Sequence, residues 1–311
     1  MKTADLHMRD AFFNELYKLA KKDKDILLLS DDFGAPYLDI YREKLSGQYL
    51  NVGIAEQSMV SIAAGLSLSG KNVYLYAIVP FVTLRCYEQM KIDISSMNLP
   101  VTAVGVGAGY AYGAAGPTHH AVEDIAAMRV LPNFTIYNPS DANIAAALAH
   151  ISYKNKGPTY IRFDRGKLPL FYEKNNDFST GLNIIQKGSD YWIITTGIML
   201  SRAIDAAHKL KKKNIDVGII DVYRLKPLNK KQLLKTIKNS KGLITLEEHN
   251  INGGLGSIIA ETLFDENILI PLKRIGIEDK YQFNYGNREF LQNICGLDTD
   301  SVTKKIVEWV R

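Results

Sequence analysis

Asn51–Val79 reads NVGIAEQSMVSIAAGLSLSGKNVYLYAIV, and the order of periods in this stretch decides the fold. A flexible Gly53 precedes a segment whose apolar positions, Met59, Ile62, Ala63 and Leu66, recur at helical spacing. The run Val73–Val79 that follows is dense in β-branched and aromatic residues, a strand signal. The same alternation extends outward: Ile26–Ser30 on one side, and Val101–Val106, Phe134–Tyr137 and Thr159–Phe163 on the other, read as strands between helical segments. Strand and helix in strict alternation mean βαβ units and a parallel sheet.

Between Leu168 and Lys187 neither period holds, and Pro169, Asn175, Asn176 and Gly181 mark a connector. Beyond it the pattern resumes, with strands near Tyr191–Thr196, Asp216–Val222 and Gly242–Glu247 and helices at about Leu200–Lys213 and Asn229–Asn239. The expectation is an α/β chain of two open, mostly parallel domains, residues 1–170 and 186–311, joined by a linker over 171–185. There is no short internal repeat and no low-complexity tract.

The 311 residues suffice for two apolar cores, and 46% hydrophobic with 23% charged residues exclude disordered and fibrous classes. Cys86 and Cys295 stand far apart without a partner motif, which argues against a disulfide framework or a zinc site and for a reducing cytoplasm. Met1–His7 carries charges without an apolar run behind them, unlike a signal peptide, and no stretch reaches membrane-spanning length. The net charge of +5 includes runs at Lys209, Lys211, Lys212, Lys213, Lys230 and Lys231. These fall at the ends of expected helices, where lysines are solvated and favoured by the dipole, so neither nucleic acid nor membrane is an expected partner.

Glu56 lies in the first turn of the helical segment after Gly53, where the helix dipole alone accounts for an acidic residue. Gly105-Val106-Gly107-Ala108-Gly109 follows a strand as a phosphate-cradling loop would, yet no GxGxxG opens a helix there. His119 and His120 precede a helix start at Ala121–Asp124; adjacent side chains diverge, which speaks against a shared metal ion.

Several stretches nevertheless occur together, in an order that covers the whole chain. They are Gly53-Ile54-Ala55-Glu56-Gln57, Phe81 ahead of Arg85-Cys86-Tyr87-Glu88-Gln89, Gly116-Pro117-Thr118-His119-His120 with Glu123-Asp124, and Pro139-Ser140-Asp141. The second half adds Lys226-Pro227-Leu228, Leu246-Glu247-Glu248-His249, Gly253-Gly254-Leu255-Gly256-Ser257, and Tyr285-Gly286 before Gly296-Leu297-Asp298. In this order the chain resembles the C-terminal part of the transketolase family, including transketolases split into two polypeptides.

That resemblance implies a pyrimidine-binding domain followed by a transketolase C-terminal domain, with thiamine diphosphate as cofactor. The carboxylate matching Glu56 hydrogen-bonds N1′ of the aminopyrimidine, which prepares the cofactor to take up a ketol unit from a ketose. For that work Glu56 is expected to be buried with a raised pKa. Phe81 is the expected stacking aromatic, with Ile54 and Tyr87 also on the cofactor. His119 matches a histidine near the reacting carbonyl, and Arg162, Arg165 and Ser30 are the remaining substrate candidates. Glu247, Glu248 and His249 read as structural, and the C-terminal domain as a dimerisation element.

Three departures qualify the match. The family's Gly-Asp-Gly motif, which holds the diphosphate and Mg²⁺ (or Ca²⁺), is absent, so a separate N-terminal subunit is expected to supply it in an α2β2 heterotetramer. Ala115 and the Gly107–Gly109 region lack polar residues that contact sugar in many transketolases, which points to an unusual or modified sugar. His120 replaces a glutamine, with no predicted consequence. Alternative readings are a subunit using pyruvate or another 2-oxo acid, like deoxyxylulose phosphate synthases or 2-oxo-acid dehydrogenase β subunits, and a degenerate scaffold without activity.

Overall fold

In the computed structural model, which describes residues 3–310, the chain forms two compact units. The first runs to Ala108 and resumes over Ala127–Ser179; the second takes Gly109–Ala126 together with Thr180 onward.

Six strands build the sheet of the first unit: β1 (Ile26–Ser30), β2 (Tyr49–Asn51), β3 (Asn72–Ile78), β4 (Val101–Val106), β5 (Thr135–Tyr137) and β6 (Thr159–Phe163). They stand side by side as β5-β6-β4-β3-β1-β2, and every pair is parallel. Its helices are α1 (Met8–Ala20), α2 (Pro36–Lys44), α3 (Glu56–Leu68), the short α4 (Val79–Val82) and α5 (Tyr87–Gln89), and α7 (Ala142–Lys154); α6 (Asp124–Arg129) leads into the returning segment. Strands buried on both faces explain why β3 and β4 read as nearly continuous apolar runs. Beneath α1 the core is aromatic: Phe13 meets Tyr76 edge-on at 5.1 Å, and Phe12 meets Phe163 at 5.4 Å. Large rings in edge-to-face contact fix α1 against β3 and β6 and make this part of the unit stiff.

The second unit carries β7 (Leu182–Gln186), β8 (Tyr191–Thr195), β9 (Val217–Val222), the three-residue β10 (Arg224–Lys226), β11 (Gly242–Asn250) and β12 (Leu272–Ile277). Five of them form a sheet in the order β12-β11-β8-β9-β7, parallel except for β7, which runs antiparallel to β9. Helices α8 (Met199–Lys211), α9 (Lys230–Ile237), α10 (Leu255–Asp265), α11 (Arg288–Ile294) and α12 (Thr299–Val310) accompany it.

Two expectations are corrected here. The linker is shorter than residues 171–185, because Leu182–Gln186 is the edge strand β7. Lys230 is the first residue of α9, where the helix dipole opposes a cation; Asp265 at 3.8 Å and Glu266 at 3.5 Å compensate it.

Candidate functional site

In open parallel sheets, ligands bind outside the carboxyl ends of the strands. Residues expected at the cofactor and at the substrate lie there in the first unit: the substrate candidate Ser30 ends β1, and the cofactor candidates Glu56 and Phe81 follow β2 and β3, with Arg85 four residues beyond Phe81. Asn51 closes the turn after β2, its Oδ1 accepting the Gly53 N–H at 2.8 Å, and Gly53 takes φ +72°, a left-handed conformation that glycine adopts without strain. This turn delivers Glu56 as the first residue of α3, a helix that carries no capping side chain at Ala55.

The Glu56 carboxylate is buried, with 3% of the residue exposed, and it does not serve its own helix. Its Oε1 instead accepts from Arg85 Nη1 at 2.6 Å. The same guanidinium lies over the Phe81 ring, 3.9 Å from its centroid. Phe81 is half-buried, so one part is anchored and another reaches solvent. The chain between them is irregular: α4, a break at Thr83, α5, then a π-type turn over Met90–Ser95, a geometry common at functional sites. Cys86 sits inside it with its thiol donating to the Phe81 carbonyl at 2.9 Å, and burial pushes that thiol up to about 12.

Asp31, immediately after β1, is a second buried carboxyl beside Glu56. Burial first, and the Glu56 charge second, push its pKa up to about 7, while the Phe33 N–H that it accepts and the charge of Arg85 work against the rise. Neither Arg85 nor Asp31 stands out in the sequence. Arg85 lies inside a family-like motif without a role of its own, and Asp31 has only its place at a strand end as a signal.

The other expected residues separate into reachable and engaged groups. Ile54 is 80% exposed next to Glu56. Tyr87 spends its hydroxyl on the Ala127 carbonyl at 3.0 Å, anchoring the segment that carries Arg85. Ser30 is buried with its hydroxyl 2.7 Å from that of Tyr49, which closes it to a substrate in this chain. Arg162 is buried in β6 with Nη1 3.5 Å from Asn138 Oδ1, whereas Arg165 is exposed. Of the two arginines, Arg165 is the one that solvent reaches. A groove of about 670 Å³ involving Glu15, His150, Lys154 and Lys174 is lined by none of these residues.

His119 and His120 lie in the second unit and diverge. His119 is half-exposed, Nδ1 2.9 Å from the Thr118 hydroxyl and edge-on to Tyr112. His120 is buried, Nε2 3.1 Å from the Gly113 carbonyl and its ring edge-on to Tyr110 at 4.9 Å. His120 thus holds the 113–116 turn together, a structural role that the sequence does not disclose. Gly109 pairs with Ala121 through two backbone hydrogen bonds of 2.9 Å, and a Cβ on it would fall 1.9 Å from Glu248 Oε2. That glycine permits close packing within its unit.

These residues fit the pyrimidine end of thiamine diphosphate: a buried carboxylate that can meet a ring nitrogen, beside an aromatic face that can stack. Comparison with known proteins identifies the two domains. Residues 4–170 match the family model "Transketolase, pyrimidine binding domain", and residues 181–302 match "Transketolase, C-terminal domain". The chain is 36% identical over 269 residues to an apulose-4-phosphate transketolase subunit of Actinobacillus succinogenes, covering 86% of this chain and 85% of that one. It is 31% identical to the 6-deoxy-6-sulfo-D-fructose transketolase subunit SqwH of Clostridium sp. (strain MSTE9), covering 96% and 92%. A solved structure described as "Split gene transketolase, inactive beta4 tetramer" superposes with a TM-score of 0.87 at 30% identity, covering 98% of both chains.

Proposed function

Because the chain belongs to the transketolase family and carries its pyrimidine-binding and C-terminal domains, we propose that it is one subunit of a two-chain thiamine diphosphate-dependent transketolase. In this reading it transfers a two-carbon ketol unit from a ketose to an aldose, and only when a separate subunit supplies the diphosphate and metal site.

One observation carries the reading. Glu56 begins a helix, yet among the described residues its buried carboxylate takes its hydrogen bond from Arg85, a partner that is itself exposed, and not from that helix's N–H groups. A carboxylate kept only for the helix dipole would stay on the dipole. When bound, thiamine diphosphate supplies the nucleophilic carbon. This chain's part is to hold the pyrimidine: Glu56 keeps a proton at the ring nitrogen, Phe81 carries the ring face, and Ile54 gives an apolar wall. His119 serves as donor to the oxygen of the reacting carbonyl, and Arg165 as the anion contact. Exposure of Ile54 in the single chain accords with a partner subunit covering it.

The missing polar residues at Ala115 and Gly107 favour a sugar other than the common pentose phosphates. The names of the relatives accord with this, since one acts on apulose 4-phosphate and another on a sulfonated deoxyfructose. A ketose with an anionic tail is the substrate class proposed.

Co-expression with a candidate diphosphate-binding subunit, followed by assay with phosphorylated and sulfonated ketose donors and with pyruvate, tests this. Ketol transfer by the complex and none by the single chain is expected. Turnover by the chain alone, or carbon dioxide release from pyruvate without ketol transfer, would overturn it. Glu56→Gln should lower turnover of the complex at least about 100-fold, the usual scale of a lost proton-transfer group.

A further inference from the structure

We propose that Arg85 belongs to the pyrimidine site and closes it in the free subunit, its guanidinium standing on both contacts that the pyrimidine would use. The proposal rests on the cofactor reading above and adds a competitor to it.

A guanidinium and an aminopyrimidine are alike in the features that matter here. Both are flat, both present N–H donors in their plane, and both offer a face to an aromatic ring. Arg85 uses the first property on Glu56, at 2.6 Å, and the second on Phe81, at 3.9 Å from the ring centroid. A pyrimidine cannot take the Glu56 carboxylate and that Phe81 face while the guanidinium remains on them.

The residue is also built to leave. Glu56 is fixed by burial, with its side chain 4% exposed, whereas the Arg85 side chain is 42% exposed. The backbone of Arg85 is held where it is, its N–H donating to the Pro80 carbonyl at 3.0 Å, and Tyr87 anchors the segment two residues on. Only the outer side chain has to swing, and water can receive it. The ion pair is open to water on its arginine side and the cation–π contact is exposed there too, so each is weakened by solvent and the closure biases loading without blocking it. Asp31 remains behind as a second carboxyl whose charge Arg85 also offsets, which gives the guanidinium a further reason to rest there in the empty chain.

The full-length chain can be titrated with 4-amino-5-hydroxymethyl-2-methylpyrimidine, the pyrimidine half of the cofactor, and binding followed by ligand-observed NMR. Arg85→Ala and Arg85→Gln should each bind this probe more tightly than the natural chain, by up to about tenfold, the combined scale of the two weak contacts. Arg85→Lys, which keeps the charge without the flat fork, should fall between. If neither Arg85→Ala nor Arg85→Gln binds more tightly than the natural chain, including the case of no measurable binding by any of them, the closure is refuted. Adding Glu56→Gln to Arg85→Ala separates the two levels. Loss of the gain supports both, whereas a gain that survives removes Glu56 from the pyrimidine and the proposal with it. Binding that depends on Glu56 in every background yet ignores Arg85 removes only the closure.

Discussion

Each unit buries carboxylates near the end of a strand, and the two units treat them in opposite ways. In the second, Glu247 accepts the N–H groups of Leu255 and Gly256 at 2.6 and 2.7 Å, stitching β11 to the start of α10. Its neighbour Glu248 is clasped by Arg288 and by Gln292, whose Nε2 donates at 2.7 Å. In the first unit, Glu56 is equally buried, but its hydrogen-bond partner among the described residues is a guanidinium reaching in from solvent. Burial alone therefore does not distinguish a working acid from a structural one. The partners do: a carboxylate satisfied by backbone or by side chains that are themselves largely buried is part of the frame, and one satisfied by an exposed side chain that can leave is open to a ligand.

Substitutions can break this contrast. Glu247→Ala leaves two donors at a helix start without their acceptor and should lower unfolding free energy by about 2–4 kcal/mol in urea titrations. A loss no larger than that of Glu56→Ala would undo the distinction. Arg288→Leu strands Glu248 in the interior and should cost about 2 kcal/mol, with much of the loss recovered when Glu248→Gln is added.

Asp31 sharpens the comparison through pH. Its pKa is raised from 3.8 to about 7, so the folded chain retains a proton that the unfolded chain has lost. Stability should fall as pH rises from about 4 to about 7, with the whole penalty present above that. Asp31→Asn removes the penalty; the variant should gain about 1 kcal/mol over the natural chain at pH 8 and nothing at pH 4 in thermal melts. A gain at pH 4 equal to that at pH 8 would show that the substitution acts through packing instead. The smallest stability effect belongs to Glu56→Gln, below about 0.5 kcal/mol, because its exposed counter-ion contributes little. The substitution expected to damage turnover most is thus the one expected to disturb the fold least.

The strands of the first unit are legible in the sequence because their two buried faces leave long apolar runs, and β1, β4 and β6 begin and end where the residues suggest. Four strands escape such a reading. Tyr49–Asn51 and Arg224–Lys226 are too short to show a period, Leu182–Gln186 sits at a sheet edge inside polar chain that reads as a connector, and Leu272–Ile277 at the other edge has its apolar run broken by Lys273 and Arg274. The site is legible only by resemblance, since Glu56 by itself is an ordinary helix-start acid. Arg85 cannot be paired with it from the sequence, because the contact spans 29 residues and depends on the irregular path from Val79 to Ser95, which no local propensity encodes. His120 differs again: its bond to Gly113 is short in sequence, but it depends on a turn bounded by Gly113 and Gly116 and not on a period.

Cys86 adjoins Arg85 and yet is walled off, with its thiol bonded to the Phe81 carbonyl and pushed up to about 12. A thiol held protonated and shielded neither alkylates nor oxidises readily. Labelling chemistry directed at a cysteine introduced on the exposed rim of the site will therefore find that cysteine before Cys86, and spectroscopic probes can be set within reach of Glu56 without removing Cys86.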